Sequence, residues 1–292
     1  MMAARPGPAT GLVLCAGTVL QAPGLVGKVD VAGKAGFDVI GLWYEDYVAA
    51  RADGLSDGDI QTVIADAGLT VGEVDVLAGW APTIGPAVHS AADVASQLGH
   101  DERAVMQMAH TVGARSITAV ELLGAPVDPD AVVEAFAGLC DRAAEFDLKV
   151  NLEFMPFSGI PDLAAGLRIV TAADRPNGGL MMDAWHLFRS GSSAAEVAAL
   201  PAAIVNAVQL SDAPAIAPID LRAETGSGRL LPGDGDTDLV GLVRALDAIG
   251  VDVPLGVEVF SSELRARGAA EAAALAMAAL RRVVDESRAG TS

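Results

Sequence analysis

The 292-residue chain is strongly acidic, with 19 Lys and Arg residues against 38 Asp and Glu residues and a formal charge of −19. Because phosphate backbones bind basic surfaces, this charge argues against a nucleic-acid partner. With 52% hydrophobic and only 4% aromatic residues, the sequence can bury a large core of small aliphatic side chains. It contains no run of about 18 apolar residues that would cross a membrane. We therefore expect a globular protein that binds neither nucleic acid nor a membrane.

The N-terminal segment, residues 1–10, lacks the continuous apolar stretch of a secretory signal, and we expect it to be flexible and the protein to be cytoplasmic. Cys15 and Cys140 lie far apart in apolar stretches, and neither has the CxxC or His-flanked setting of a redox or zinc site. We interpret both as buried thiols without a chemical role.

Short aliphatic segments rich in β-branched residues alternate with longer Ala-rich segments along the chain. This alternation predicts eight strands, each followed by a helix. In chain order, the predicted strands are Gly11–Gly17, Phe37–Tyr44, Thr70–Leu77, Ser116–Leu123, Lys149–Phe154, Gly178–His186, Ile204–Asp212 and Pro254–Phe260.

The segment Asp128–Asp147 is typical of the helices between these strands, with apolar residues at spacings of three and four and acidic residues near its start. Strands that are apolar almost throughout are covered on both faces, and connections through helices place them parallel. The turn after the first strand has no GxGxxG or Walker pattern, which argues against a doubly wound nucleotide-binding sheet. The sequence therefore predicts an α/β fold in which residues 1–292 form a single (β/α)8 TIM barrel.

Polar residues occur late in four consecutive apolar strands of this predicted barrel. They are Glu153 on the fifth strand, Asp183 and His186 on the sixth, Gln209 and Asp212 on the seventh, and Glu258 on the eighth. The active site of such a barrel lies where the strands end, and neighbouring strands bring these side chains together. Three carboxylates at one rim would repel each other unless a cation lay between them.

The three carboxylates and the Gln209 amide form an oxygen-only ligand set, which suits Mn²⁺ or Mg²⁺ and also admits Co²⁺. Taken singly, each of these residues is more often a hydrogen-bonded strand end or a helix cap than a metal ligand. It is their occurrence on adjacent strands that favours one divalent metal held by Glu153, Asp183, Gln209 and Glu258.

The segments NLEFMP, LMMDAWHLFRSG, AVQLSDAP, GRLLPGDGDTDL and PLGVEVFSSELR resemble, in order and spacing, the xylose-isomerase-like TIM-barrel family of sugar phosphate isomerases and epimerases. The resemblance implies that Glu153, Asp183, Gln209 and Glu258 hold one divalent metal. It also implies that His186 contacts the substrate, and that an Arg in the loop after the seventh strand, Arg222 or Arg229, does the same. The match is good over residues 149–265 and is only a pattern of strands before them.

In this family, a metal bound to carbonyl and hydroxyl oxygens stabilises the enediolate that is left by proton removal. The resemblance therefore implies an isomerase or epimerase of a small polyhydroxylated substrate, with Glu153 and Glu258 as acid and base. Gln209 stands where many relatives have His, and together with the C-terminal motifs it is similar to bacterial 3-dehydroshikimate dehydratases. In that alternative a β-hydroxyl group leaves, and His186, poised near neutral pH, carries the proton.

Three further side chains are candidates for substrate contact. Trp43 ends the second strand and Trp80 follows the third, so both can stack on the apolar face of a sugar; packing in the core is an equally good interpretation. Glu121 on the fourth strand can contact substrate, although capping or pairing with an Arg suits it better. The chain lacks a cluster of Arg and Lys for a phosphate group, and a homo-oligomer is possible because barrels of this family often associate.

Two other functions belong to different classes. Barrel-type apurinic endonucleases use several metals and many His ligands on DNA, which four His residues and a charge of −19 do not suit. A non-catalytic binding barrel predicts an apolar residue at one of the four ligand positions, and none of the four is apolar.

Overall fold

A computed structural model describes residues 11–88 and 100–289. The N-terminal segment 1–10, which we expected to be flexible, lies outside the described residues. Eight strands are present: β1 Leu12–Leu14, β2 Val39–Trp43, β3 Thr70–Leu77, β4 Ser116–Ala119, β5 Lys149–Leu152, β6 Gly178–Asp183, β7 Val205–Leu210 and β8 Leu255–Val257. Each lies inside the segment that the sequence predicted.

The eight strands form one closed barrel in the order β1 to β8, and every neighbouring pair is parallel. The predicted (β/α)8 TIM barrel is therefore confirmed. Several strands end earlier than predicted because the residues after them begin the next helix. Asp183, for example, ends β6, and its Oδ1 atom accepts a hydrogen bond from the His186 N–H at 2.9 Å. An apolar run alone does not mark this change from strand to cap.

Helices surround the barrel. They are α1 Gly24–Ala35, α2 Tyr44–Ala52, α3 Asp57–Asp66, α4 Glu102–Thr111, α5 Ala131–Ala144, α6 Leu163–Ala173, α7 Ala184–Arg189, α8 Ala194–Val197, α9 Leu221–Ser227, α10 Leu239–Ile249, α11 Ser262–Ala266 and α12 Ala269–Arg288. Short 3-10 turns cover Ala16–Val19 and Ala202–Ile204. None of the helices in the described part of the chain is both long and apolar enough to span a bilayer.

Acidic residues begin many of these helices. The side chains of Asp101, Asp162, Asp220 and Asp238 each accept a hydrogen bond from the backbone N–H three residues later. A carboxylate at this position satisfies a free amide group and interacts favourably with the positive end of the helix dipole. Part of the acidic excess therefore has a structural role on the outside of the barrel.

The core lies between the barrel and the helices and is built from Val, Leu, Ile, Ala and Met side chains. Cys15 and Cys140 are buried and free, as the sequence predicted. Gly256 on β8 allows strands to approach closely, because a Cβ atom there would lie 2.9 Å from the Val208 carbonyl oxygen and 3.2 Å from the Cys15 Sγ. Small side chains therefore let the strands and helices pack closely around the barrel.

Asp212 organises the loops that follow β7. Its carboxylate accepts hydrogen bonds from the N–H groups of Ala213, Gly233 and Thr237 and from the Thr237 hydroxyl. These contacts connect the end of β7 to the loop before α10, and they fix the rim of the barrel on the side where the strands end. Asp212 therefore caps the loop through these four hydrogen bonds.

Candidate active site

A cavity of about 320 Å³ opens at the carboxyl ends of the strands. Its walls include the aromatic side chains of Trp43, Phe157 and Phe260. The polar side chains that line it are Glu45, Asp75, Glu153, His186, Gln209, Arg222, Thr225, Arg229 and Glu258. The strand-end residues that the sequence singled out on β5, β7 and β8 thus share one enclosed space.

Glu153, Asp183 and His186 form the centre of this site. One donor atom from each lies within 4.8 Å of the others, and all three residues are buried. The Glu153 Oε1 and His186 Nε2 atoms are 3.6 Å apart. The short helix α7 brings the His186 ring beside the end of β6, because Asp183 caps this helix through its first turn.

Arg229 extends into the same centre from the loop after α9. Its Nη1 atom is 2.7 Å from the Asp183 Oδ2 and 3.4 Å from the Glu258 Oε2. Its Nη2 atom is 3.2 Å from the His186 Nε2 and donates to the Thr225 hydroxyl at 2.7 Å. Arg229 is one of the two arginines, with Arg222, that we expected to contact substrate. Its guanidinium group is only 2% exposed and contacts side chains of the site, and the residue also lines the cavity. It supplies the positive charge that partly balances the carboxylates.

This geometry also overturns the expectation that His186 titrates near neutral pH. Burial lowers the pKa of His186 to about 3, and the Arg229 charge lowers it further, although Asp183 acts in the opposite direction. The imidazole is therefore neutral, and its Nε2 atom is free to accept the hydrogen bond from Arg229. The Nδ1 atom is buried and has no hydrogen-bond partner among the described residues.

The carboxyl groups of the site differ in their pKa because they differ in their distance from Arg229. Burial raises the pKa of Glu153 well above its usual range, and the charges of Asp183 and Glu258 raise it further. Burial likewise raises the pKa of Glu258 to about 8, whereas Arg229 and His186 hold the pKa of Asp183 below its usual value despite its burial. One arginine therefore leaves an excess of buried negative charge.

Gln209 lies beside Asp183 on the neighbouring strand, where the two residues are register partners, and it lines the cavity. Behind it lies the buried Glu73 carboxyl, which accepts a hydrogen bond from the Cys15 thiol at 3.5 Å. Burial raises the pKa of Glu73 to about 7, although the Cys15 and Gln209 side chains act in the opposite direction.

Of the other predicted substrate contacts, Trp43 and Arg222 line the cavity, and Trp80 and Glu121 do not. The Trp80 ring packs 5.8 Å from Phe136, and its Nε1 donates to the Val120 carbonyl oxygen. The Glu121 carboxylate accepts hydrogen bonds from the N–H groups of Leu123, Gly124 and Gly159, which joins the loops after β4 and β5. The expected sugar contacts of these two residues are therefore corrected to packing and loop fixation.

Asp75, which the sequence analysis missed, also lines the cavity, as does Glu45, which the sequence places with Trp43 at the end of the second strand. Glu45 opens α2, and its Oε1 lies 3.3 Å from the His100 Nε2. Asp75 and Glu73 are acidic residues at alternate positions of β3. Alternation of acidic residues within an otherwise apolar strand is a signal that both face the barrel interior, and it was available in the sequence.

The residues present fit a divalent cation. The available donors are three carboxyl groups, an amide oxygen and a neutral imidazole, and burial together with the neighbouring carboxylates raises the pKa of Glu153 and of Glu258. A divalent cation stabilises ionised carboxylates in such a cluster. Of the predicted ligands, Glu153 and Asp183 bring donor atoms within 4.8 Å of each other, and His186 completes this group. Glu258 lies outside it, although Glu258 and Gln209 line the same cavity.

Comparisons with known proteins agree with this architecture. The description of the family whose profile matches residues 29–283 is "Xylose isomerase-like TIM barrel". The 3-dehydroshikimate dehydratase of Pseudomonas aeruginosa is 27% identical over 247 residues, which is 82% of this chain and 36% of that protein. The inosose isomerase of Bacillus subtilis is 26% identical over 177 residues, 56% of this chain and 63% of that protein. The chain thus spans about a third of the dehydratase.

A solved structure of the IolI protein with a bound zinc atom has a TM-score of 0.83 to this chain at 21% identity, and the alignment covers 96% of this chain and 100% of that one. At this identity, the likeness supports the fold alone.

The metal-free protein is predicted to lose stability as the pH rises from 6.5 to 9. The folded-state pKa is raised to about 7 for Glu73 and to about 8 for Asp75 and Glu258. In the unfolded chain these groups ionise near pH 4, so the folded state binds more protons until the pH passes the folded pKa. His186 is neutral in both states above pH 7 and adds little. Urea unfolding should show a decrease of about 2 kcal/mol or more in the free energy of unfolding.

Saturating Mn²⁺ should reduce this pH dependence, because metal binding favours the ionised carboxylates. In Glu258→Gln the dependence without metal should also be weaker, since one titrating group is removed. The buried thiols Cys15 and Cys140, whose pKa is raised, act in the same direction above pH 8 and are present in both proteins. A free energy of unfolding that rises across this pH range would contradict the charge balance described here.

Proposed function

Because the chain belongs to the xylose isomerase-like TIM barrel family, we propose that it is a divalent-metal-dependent isomerase or epimerase. It would move a proton next to a carbonyl group of a small polyhydroxylated substrate. One observation supports the proposal most directly. The side chains of four residues lie in or beside one cavity: Glu153, Asp183, His186 and Glu258. The family relation supports an enzyme of this class, and the substrate is part of the proposal.

The positions of Glu153 and Glu258 support proton transfer on the two sides of a substrate carbon. Glu153 follows β5 and Glu258 follows β8, so β6 and β7 separate them, and both side chains enter the cavity. A substrate lying between them in front of Asp183 and Gln209 would have one carboxyl on either side. One carboxyl then removes a proton and the other returns one, which inverts the carbon or transfers the proton to its neighbour.

A divalent cation held by Glu153, Asp183, Gln209 and Glu258 would polarise the substrate carbonyl and acidify the adjacent C–H group. This oxygen-rich set suits Mn²⁺ or Mg²⁺, and Co²⁺ can substitute. Arg229 holds Asp183 and Glu258 and can stabilise negative charge that develops on the substrate. Trp43, Phe157 and Phe260 exclude water from the reacting region.

His186 has a supporting role in this proposal. Its Nε2 atom lies between the Glu153 carboxyl and the Arg229 guanidinium, and the low pKa of the ring keeps it neutral. Because the Nε2 lone pair accepts a hydrogen bond from Arg229, the neutral ring holds the guanidinium group of that arginine beside the Glu153 carboxyl. His186 then acts on the site by positioning Arg229.

Deuterium uptake into inosose tests the proposal. The Mn²⁺-loaded protein in D₂O should catalyse exchange at the carbon next to the carbonyl, measured by NMR. In Glu153→Gln, at saturating Mn²⁺, the exchange rate should fall by about 100-fold or more, because general acid–base catalysis contributes about 10²–10⁴-fold. Glu134→Gln, a matched change at an exposed position of α5, should exchange at the wild-type rate. Exchange that is equally fast in Glu153→Gln would contradict the assigned role.

A 3-dehydroshikimate dehydratase is the second candidate function, and a specific feature of the cavity favours it. Arg222 lines the cavity and makes no ion pair with the described residues; its guanidinium lies 5.6 Å from the Phe157 ring, and its Nη1 is 3.5 Å from the Leu122 carbonyl oxygen. An arginine in this setting can bind the carboxylate of a substrate. The Pseudomonas dehydratase is also among the relatives in sequence.

The test of this candidate uses 3-dehydroshikimate and Mn²⁺, with ultraviolet absorbance as the measure of an aromatic product. If the candidate function is correct, product forms, and Arg222→Met raises KM by about tenfold or more, since a charged hydrogen bond contributes about 1.5–3 kcal/mol. The absence of product at high enzyme concentration discards this candidate. If no aromatic product forms and no deuterium enters inosose, both candidate functions are rejected.

A further inference from the structure

Asp75 is a buried acid in the cavity wall that the proposed proton transfer does not use. It lies near the end of β3, which is across the barrel from β7, and its side chain lines the cavity. Only 2% of the residue is exposed. It lies outside the group formed by Glu153, Asp183 and His186.

Both carboxyl oxygens of Asp75 are buried and have no hydrogen-bond partner among the described residues. The Thr118 hydroxyl on β4 lowers the pKa of Asp75 slightly, but it does not form a hydrogen bond with either carboxyl oxygen. Burial and the charge of Glu73 act in the opposite direction and raise the pKa to about 8. In contrast, Asp183 and Glu258 contact Arg229, and Glu121 binds three backbone amides.

An unpaired buried carboxyl group destabilises a folded protein, because it has lost its water without gaining a partner. Asp75 does not hold two elements together through hydrogen bonds, so a contribution to stability does not explain it. Its neighbours in the cavity wall, Val76 and Val120, are apolar and offer no donor or acceptor from their side chains. A ligand in the cavity is therefore the natural partner of this carboxyl group.

We propose that Asp75 is a substrate-binding residue that forms a hydrogen bond with a hydroxyl group of the polyhydroxylated substrate at the β3 side of the cavity. A hydroxyl group both donates and accepts, so it pairs with the carboxyl in either protonation state. This contact orients the part of the substrate that lies away from Asp183 and Gln209. The inference rests on the proposed function, because it concerns the same cavity and the same class of substrate.

The first experiment measures thermal unfolding without metal or substrate. Asp75→Ala should unfold at the wild-type temperature or a few degrees above it, since it removes an unpaired buried carboxyl group. The control Thr118→Val changes a hydroxyl on the neighbouring strand and removes its hydrogen bond from the Asn151 amide. It should be no more stable than the wild type. A clear loss of stability in Asp75→Ala would overturn the inference, because it would show that the carboxyl supports the fold.

The second experiment measures the affinity of the Mn²⁺-loaded proteins for inosose and for 3-dehydroshikimate by calorimetry. Asp75→Ala should bind about tenfold or more weakly the compound that the wild type binds, whereas Asp75→Asn should stay within about threefold, because an amide also donates and accepts. Thr118→Val should bind as the wild type does. Mn²⁺ affinity should be the same in all four proteins.

The outcomes separate the two proposals. If the wild type binds one of the compounds and Asp75→Ala binds it equally well, the role of Asp75 is wrong and the proposed function is unaffected. If the wild type binds neither compound and exchanges no deuterium, the proposed function fails, and the inference fails with it. If Mn²⁺ binding is lost in Asp75→Ala, the carboxyl acts on the metal site, and its assignment to the substrate is wrong.

Discussion

Buried carboxyl groups and a single arginine meet at the mouth of the barrel, and the charge balance among them determines the chemistry of the site. Asp183, Glu153 and Glu258 lie at the ends of neighbouring strands, and the guanidinium group of Arg229 contacts two of them. A group of like charges in a low-dielectric environment ionises only when positive charge compensates it. Arg229 provides one positive charge, and a divalent cation can compensate the remaining carboxyl groups.

The charge of Arg229 affects the pKa of the ionisable groups beside it. Asp183 is the carboxylate closest to Arg229, and it alone of the three has a lowered pKa; Glu153 and Glu258 have raised values. Burial, with a smaller contribution from the same arginine, keeps His186 neutral, so the ring acts as a hydrogen-bond acceptor. Metal binding, the ionisation of the glutamates and the neutrality of the histidine are therefore coupled through one side chain.

The barrel and the strand-end donors were accessible from the sequence, because both follow from regular patterns. Apolar β-branched runs separated by helices predict eight strands, and a polar residue late in such a run predicts a side chain at the mouth of the barrel. The alternating acids of β3 gave the same kind of signal for Asp75, and a systematic search for polar residues inside every strand would have found it. The sequence is therefore enough to predict where a side chain lies when the order of the strands determines its position.

The partners of individual side chains could not be predicted, because they depend on how the loops fold over the barrel. Nothing in the sequence near Arg229 indicates that its guanidinium reaches Asp183, 46 residues earlier in the chain. In the same way, Trp80 turns toward Phe136 and Glu121 binds the amides of two loops, although both follow or lie on strands as the site residues do. The pKa of His186 was mispredicted for this reason, since its burial and the nearby arginine are properties of the folded chain.

The most direct measurement is a calorimetric titration of metal-free protein with Mn²⁺, together with Glu258→Gln and the exposed control Glu134→Gln. If Glu153, Asp183, Gln209 and Glu258 hold one ion, the wild type and the control bind one Mn²⁺ per chain with equal affinity. The Glu258→Gln protein, folded by circular dichroism, then binds at least about tenfold more weakly, because a charged ligand has been replaced. Failure of the wild type to bind Mn²⁺, or equal binding by all three proteins, would contradict a shared metal site at the mouth of the barrel.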